Sequence, residues 1–183
     1  MALKATIFRA ELGIADMERN YYATHALTLA RHPSENDERM MVRLLAFALN
    51  AHEALAFGAS IGSDDEPDLW RKDLTGAIQL WVDVGLPDEK RIRRACGRSR
   101  RVVVYSYGRG ADLWWKQSSE SLARSGNLDV IDLPQAATQA MAKLADRNMK
   151  LDCTIQDGQV WLASERDSVA VEATSRLRAS ARA

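Results

Sequence analysis

The segment that most constrains the fold is residues 100–108, RRVVVYSYG, in which a continuous apolar and β-branched run follows two arginines. Such a run is typical of a strand that is buried on both faces, as the interior strands of parallel sheets are. A helical pattern over residues 111–126, a strand pattern over residues 127–133 and a second helical pattern from Pro134 follow it. This alternation predicts right-handed crossovers onto a partly parallel sheet.

Two segments before this run continue the alternation of strand and helix. Residues 77–85 alternate apolar and polar side chains, which predicts a strand with Asp83 on its non-aliphatic face. Residues 86–99 predict a short helix that is rich in lysine and arginine. A basic helix is therefore expected to connect the strand over residues 77–85 to the buried run.

A long helix is predicted earlier in the chain. It is expected to begin at Pro33 and Ser34, because acidic residues follow them and apolar residues then recur at three- and four-residue spacing as far as Leu55. Gly58 supplies the expected stop.

Both ends of the chain show β-hairpin patterns. Residues 3–16 alternate, and residues 20–32 have enough aromatic and branched side chains to form their partner strand. Residues 149–165 contain the pair Asp157 and Gly158, which favours the positive φ angles of a tight turn. We therefore expect an α/β (mixed α+β) fold, with a central mixed sheet flanked by helices and hairpins at the N- and C-terminal ends.

The chain contains no repeat or linker, so residues 1–172 are predicted to form a single domain. Residues 173–183 have too few apolar side chains to dock firmly and are predicted to form a flexible tail. No segment has the length of a membrane span or the pattern of a signal peptide, and the two cysteines form no CxxC spacing. We therefore expect a cytoplasmic protein with no membrane partner.

The formal net charge is zero, from 25 basic and 25 acidic residues, and gives no overall attraction for nucleic acid. The charges are unevenly distributed, however, because residues 88–101 hold seven basic and two acidic side chains, whereas residues 64–68 are acidic. The sequence has no Walker motif, no HExxH and no GxSxG, so it carries none of these signatures for nucleotide, zinc or serine chemistry.

Three sources of carboxylate suggest a site for a hard divalent cation, which needs oxygen ligands from two or more acidic side chains. Asp68 follows Pro67 in the acidic loop, and Asp83 lies on the predicted strand. Glu38 and Glu35 stand at the head of the long helix. The alternative for Asp83 is an ordinary carboxylate that faces solvent.

Several long strings resemble the bacterial YaeQ family, among them LTLARHPSENDERMMVRLLAFAL, DDEPDLW and LWVDVGLPDEKRIRRAC. The resemblance runs from about residue 2 to about residue 172. The order of acidic helix, Pro-Asp, Asp-bearing strand and basic helix also resembles the PD-(D/E)XK core of restriction-endonuclease-like nucleases. These resemblances imply a variant of that fold, with Mg²⁺ or Mn²⁺ as its cofactor.

The nuclease resemblance implies roles for particular residues. Asp68 and Asp83 match the two motif acids, and Glu38 matches the acid on the helix, with Glu35 as a competitor. The motif lysine is missing, because Gly85 occupies its position. A cation from Lys90, Arg71 or Lys72, or the amide of Gln79, is expected to replace it. The basic residues expected to hold a phosphate backbone are Arg93, Arg94, Arg98, Arg100 and Arg101.

Two functions from different classes follow from this assignment. The first is a Mg²⁺-dependent phosphodiesterase that hydrolyses DNA or RNA. The second is a catalytically degenerate protein of the same fold that binds nucleic acid or a transcription-associated protein. The zero net charge also leaves open a protein-interaction domain with no role in nucleic-acid binding.

Overall fold

The computed structural model describes residues 4–59 and 63–180, which form a mixed α/β fold with two mixed sheets and four helices. The expected fold class is confirmed, although the strands belong to two sheets rather than to one. In chain order the elements are β1 (Thr6–Asp16), β2 (Tyr21–Arg31), α1 (Asp37–Leu49), β3 (Leu55–Phe57), β4 (Leu69–Lys72), β5 (Ile78–Val84), α2 (Glu89–Arg98), β6 (Val102–Tyr107), α3 (Ala111–Leu122), β7 (Leu128–Leu133), α4 (Gln135–Ala142), β8 (Asn148–Gln156), β9 (Gln159–Ala163), β10 (Ser168–Val171) and β11 (Thr174–Leu177).

The contacts divide the chain into two compact units. The first consists of the chain up to Leu49 together with Pro134–Ala173. The second consists of Asn50–Leu133 and the chain from Thr174 onwards. In the described part of the chain, none of the helices is long and apolar enough to cross a membrane.

The first unit contains a five-stranded sheet in the order β10-β9-β8-β1-β2. Both predicted hairpins are confirmed, since β1 pairs antiparallel with β2 and β8 pairs antiparallel with β9. Asp157 and Gly158 have φ angles of 54° and 75°, as the tight turn requires. The hairpins join through a parallel pairing of β1 with β8, which places Leu12 opposite Leu151.

Helix α1 is shorter than the sequence pattern predicts. It begins at Asp37 rather than at Pro33, because the side chain of Asn36 caps it by accepting a hydrogen bond from the backbone N–H of Arg39 at 2.9 Å. It ends at Leu49, and Leu55 lies in β3 instead of on the helix. The prediction was wrong there because the apolar spacing happens to continue past the end of the helix.

The second unit contains a six-stranded sheet in the order β11-β7-β6-β5-β4-β3. The predicted parallel arrangement is confirmed for β5, β6 and β7, while β3, β4 and β11 pair antiparallel. The core of this unit is made of buried side chains from the three parallel strands and from α2 and α3: Trp81, Ile92, Ala95, Val102, Val104, Leu122, Leu128 and Val130.

Part of the predicted tail is ordered. Thr174–Leu177 forms the edge strand β11, which pairs with β7. Arg176 forms ion pairs with Asp112 and, at 3.3 Å, with Asp132. Strand pairing and polar contacts engage this segment, and a count of apolar side chains does not register either of them.

Cys153 gives the first unit a testable dependence on pH. Burial, with a contribution from the charge of Asp16 and an opposing one from Arg19, raises the pKa of the Cys153 thiol to about 12. Above the ordinary thiol pKa, the unfolded chain loses a proton that the folded chain keeps, so stability falls as pH rises. We expect the contribution of this thiol to the free energy of unfolding to fall by about 1.4 kcal/mol per pH unit above about pH 9.

The measurement is urea unfolding of the wild type and of Cys153→Ala at several pH values between about 8 and about 10.5. The other alkaline groups titrate equally in both proteins, so the difference between the two proteins isolates the thiol. A difference that stays constant over this range would contradict the prediction.

Candidate functional site

The edge formed by β4 and β5 brings two of the predicted acids together. Leu69 pairs with Val82 in the antiparallel ladder, so Asp68 lies beside Asp83 at the end of the same pairing. The Oδ2 atom of Asp68 accepts a hydrogen bond from the backbone N–H of Val84 at 2.8 Å. Both side chains are buried, and the exposed fraction of Asp83 is 2%. The structure therefore places the two motif acids next to each other and shields them from solvent.

Arg91 from the first turn of α2 binds the carboxylate of Asp83 through two hydrogen bonds. Its Nε donates to Oδ2 and its Nη2 donates to Oδ1, both at 2.9 Å. The indole Nε1 of Trp81 donates a further hydrogen bond to Oδ2 at 3.0 Å. Both oxygens of Asp83 are therefore used by donors within the protein, and the two-pronged guanidinium contact is the strongest type of charge-assisted hydrogen bond.

The acidic loop fixes the same guanidinium from the other side. Arg91 Nη1 donates to the carbonyl oxygen of Ser63 at 2.5 Å, and Nη2 donates to the carbonyl oxygen of Glu66 at 3.0 Å. Burial acts to lower the pKa of Arg91, but the hydrogen bonds and charge of Asp83, with the charges of Asp68 and Asp64, outweigh it and raise that pKa. Arg91 is thus a permanent cation held between the strand and the loop.

Backbone conformation disfavours a lysine, or any residue other than glycine, at position 85. Gly85 has a φ angle of +102°, a region in which a side chain with a Cβ atom is strained. The expected cation comes from the following helix, but it is Arg91 rather than Lys90, whose side chain is exposed. In the sequence, Arg91 is one of seven basic residues over positions 88–101. Its position near the start of the helix, shortly after the Asp83 strand, was the signal that could have singled it out.

The amide of Gln79 does not lie beside Asp83. The two residues share one face of β5 but are four positions apart, which corresponds to about 13 Å along a strand. The Nε2 atom of Gln79 donates to Oδ2 of Asp73 at 2.8 Å. Gln79 is therefore too far along the strand to orient a molecule at the Asp68–Asp83 edge.

The helix acids belong to the first unit and have partners there. Both oxygens of Glu35 accept hydrogen bonds from Arg43, at 2.7 and 2.8 Å, and Arg39 adds a third at 3.1 Å. Glu38 accepts a hydrogen bond from the hydroxyl of Thr138 at 2.7 Å. Glu35 is thus engaged in a buried ion pair, and Glu38 in a contact between α1 and α4.

These contacts decide how well the residues fit Mg²⁺ or Mn²⁺. A hard cation needs carboxylate oxygens that converge on it, but the oxygens of Asp83 are bound to Arg91, whose own charge repels a second cation. Over residues 4–59 and 63–180, no three histidine, cysteine, aspartate or glutamate side chains are grouped so that they could hold a metal ion. The arrangement present does not fit the implied metal, and Arg91 already supplies positive charge to this edge.

The arginines predicted to contact phosphate lie on the surface of the second unit. Arg93, Arg94 and Arg98 are exposed on α2, and their partners Glu89, Asp64 and Asp65 are 3.7 to 3.9 Å away.

The two arginines after the helix are also exposed. Arg100 and Arg101 precede β6, and Arg101 Nε donates to Oδ2 of Asp129 at 2.8 Å. Ion pairs between exposed groups contribute little free energy, so an incoming phosphate can displace the partners of the α2 arginines, whereas Asp129 is buried and holds Arg101 more closely.

The ion pair between Arg91 and Asp83 leads to a prediction about stability. Replacing Arg91 with alanine leaves the Asp83 carboxylate buried without its cation, so we expect Arg91→Ala to lower the free energy of unfolding by about 3 kcal/mol. Arg93→Ala removes an exposed arginine two positions away and should change it by less than about 0.5 kcal/mol. Urea unfolding of both variants measures the difference, and equal stabilities would show that the buried pair contributes nothing.

Comparison with known proteins agrees with the resemblance seen in the sequence. The family model described as "YaeQ protein" matches residues 1–173. The YaeQ proteins of Escherichia coli (strain K12) and Salmonella typhi are each 43% identical to this chain over 176 residues, and the match covers 96% of this chain and 97% of each relative.

Two solved structures have the same fold. The crystal structure of the YaeQ protein from Xanthomonas axonopodis pv. citri is 53% identical in sequence, with a TM-score of 0.91 over 94% of this chain and 98% of that one. The crystal structure of the YaeQ protein from Pseudomonas syringae is 33% identical, with a TM-score of 0.91 over 95% of this chain and 97% of that one. The chain therefore belongs to the YaeQ family.

Proposed function

We propose that this protein is a non-hydrolytic variant of the PD-(D/E)XK fold that binds nucleic acid. The observation that carries the proposal is the contact between Arg91 and both oxygens of Asp83, the acid expected to hold the catalytic metal. A guanidinium in this place neutralises the carboxylate, and unlike a divalent ion it has no bound water to activate as a nucleophile.

The basic surface of the second unit supports the binding part of the proposal. Arg93, Arg94 and Arg98 project from one short helix, and Arg100 and Arg101 follow it directly. Their long, weak ion pairs with exposed acids cost little to exchange for contacts with phosphate oxygens. Such contacts would position a nucleic acid without reading its sequence.

The hydrolytic alternative has one observation in its favour, which is the adjacency of Asp68 and Asp83 at the end of the β4–β5 ladder. Hydrolysis by these acids would require Arg91 to leave its bidentate contact and its two carbonyl partners together. The two functions make opposite predictions for the same mixture of protein and nucleic acid.

The test measures binding and cleavage together. A fluorescently labelled single-stranded oligonucleotide is titrated with protein at several salt concentrations, with Mg²⁺ or Mn²⁺ present, and is then analysed for products. We expect binding that weakens with salt and no cleavage. The triple variant Arg93→Gln, Arg94→Gln, Arg98→Gln should bind at least about tenfold more weakly, with a reduced salt dependence.

A matched control removes three exposed cations elsewhere, through Lys143→Gln, Lys150→Gln and Arg166→Gln. It should bind almost as well as the wild type, because the same charge is lost from a different unit. Equal losses in both triple variants, or no binding by the wild type at low salt, would contradict the binding proposal. Cleavage that is abolished in Asp83→Asn would establish the hydrolytic alternative.

A further inference from the structure

A second site is suggested by a groove at the opposite end of β5 from Asp83. The groove measures about 430 Å³ and is lined in part by Arg71, Gln79, Arg100, Arg101 and Asn127. These residues lie in the second unit, at the ends where the parallel strands β5, β6 and β7 begin. Three arginines from two segments of the chain therefore line one concave surface.

Arg71 is a lining residue of the groove whose hydrogen bonding is incomplete. Its Nε atom is buried, and no hydrogen-bond acceptor for it is present among residues 4–59 and 63–180. A buried charged donor without an acceptor is unfavourable, because it has lost water and gained nothing in return. An anion bound in the groove that Arg71 lines would offset this uncompensated charge.

The charges around the groove are unbalanced. Within the described residues, no carboxylate lies within ion-pair distance of Arg71 or Arg100, and Arg101 pairs with Asp129 alone. Among these groups there are thus two more positive charges than negative ones. On the Gln79 side, the carboxylate of Asp73 accepts hydrogen bonds from Thr75 and from the amide of Gln79.

The walls of the groove are fixed by the backbone. The Nδ2 atom of Asn127 donates to the carbonyl oxygens of Cys96 and Ser99, both at 3.0 Å. At the preceding residue, the carbonyl oxygen of Gly126 accepts a hydrogen bond from the backbone N–H of Ser180 at 2.8 Å. Since these contacts are made within the protein, the guanidinium groups are the donors left to bind a ligand, and they need little rearrangement to do so.

We propose that this groove binds a phosphate monoester or inorganic phosphate through Arg71, Arg100 and Arg101. A phosphate dianion matches the excess of two positive charges, and its oxygens suit several guanidinium groups at once. A phosphodiester linkage inside a nucleic acid carries only one negative charge. A site suited to a phosphate dianion is therefore distinct from the surface on α2 that is proposed to contact a nucleic-acid backbone. It does not depend on nucleic-acid binding by this protein.

The experiment is calorimetric titration with inorganic phosphate at constant ionic strength. We expect a dissociation constant at or below about 1 mM for the wild type, and binding at least about tenfold weaker for Arg71→Gln and for Arg100→Gln. Arg100 is exposed, so its variant tests the site even if Arg71→Gln alters folding. Arg166→Gln, at an exposed position of the first unit, should bind phosphate like the wild type.

Two ligand sources share this chemistry, and a second titration separates them. Short oligonucleotides with a 5′-phosphate or a 5′-hydroxyl are compared. Tighter binding of the phosphorylated form, lost in Arg100→Gln, assigns the groove to a terminal phosphate of nucleic acid. Equal binding of the two forms, with phosphate still bound, assigns it to a small phosphorylated molecule. No phosphate binding by the wild type, or the same weakening in Arg166→Gln as in Arg100→Gln, would overturn the site, whatever the outcome for nucleic-acid binding on α2.

Discussion

The bidentate ion pair between Arg91 and Asp83 is the interaction on which the chemistry of the second unit depends. It joins α2 to β5, and the same guanidinium holds the acidic loop through the carbonyl oxygens of Ser63 and Glu66. Helix, strand and loop therefore share one partly buried cation. That cation is covalently part of the chain, so it cannot dissociate as a metal ion or a water molecule can. The negative charge of Asp83, at the edge that resembles a hydrolytic centre, is therefore neutralised by the protein itself.

In the first unit, too, a buried carboxylate is paired with an arginine. Glu35, which stands near a helix start like a potential metal ligand, is held by Arg43 at 2.7 and 2.8 Å with both side chains almost wholly buried. Burying a lone carboxylate is prohibitively unfavourable, so each of these acids has an arginine as its partner. The contrast with Arg71 is informative, because its buried Nε has no such partner in the part of the chain that the structure describes. The unpartnered Nε of Arg71 therefore lies on a different part of the second unit from the Asp68–Asp83 edge.

The elements that depend on local sequence patterns could be predicted from the sequence. The β-branched run at Val102–Tyr107 predicted parallel strands, and the Asp157–Gly158 turn predicted a hairpin. The pairing of β1 with β8 joins residues more than a hundred positions apart, and no local pattern encodes such a contact. Asp68 and Asp83 could be identified from the sequence because they match a known motif. The arginine that binds Asp83 could not be identified, because several basic residues follow this strand. Only the geometry of the helix selects Arg91 over Lys90. Likewise, β11 depends on contacts of Arg176 that apolar content does not reveal.

The most direct test of this account is a titration of the protein with Mn²⁺, in which electron paramagnetic resonance measures the ion that stays in solution. If Arg91 occupies the place of a metal, the wild type and Asp83→Asn should leave the same amount of Mn²⁺ unbound at every protein concentration. Binding of one Mn²⁺ per chain by the wild type, lost in Asp83→Asn, would contradict it and would show that the arginine yields this edge to a cation.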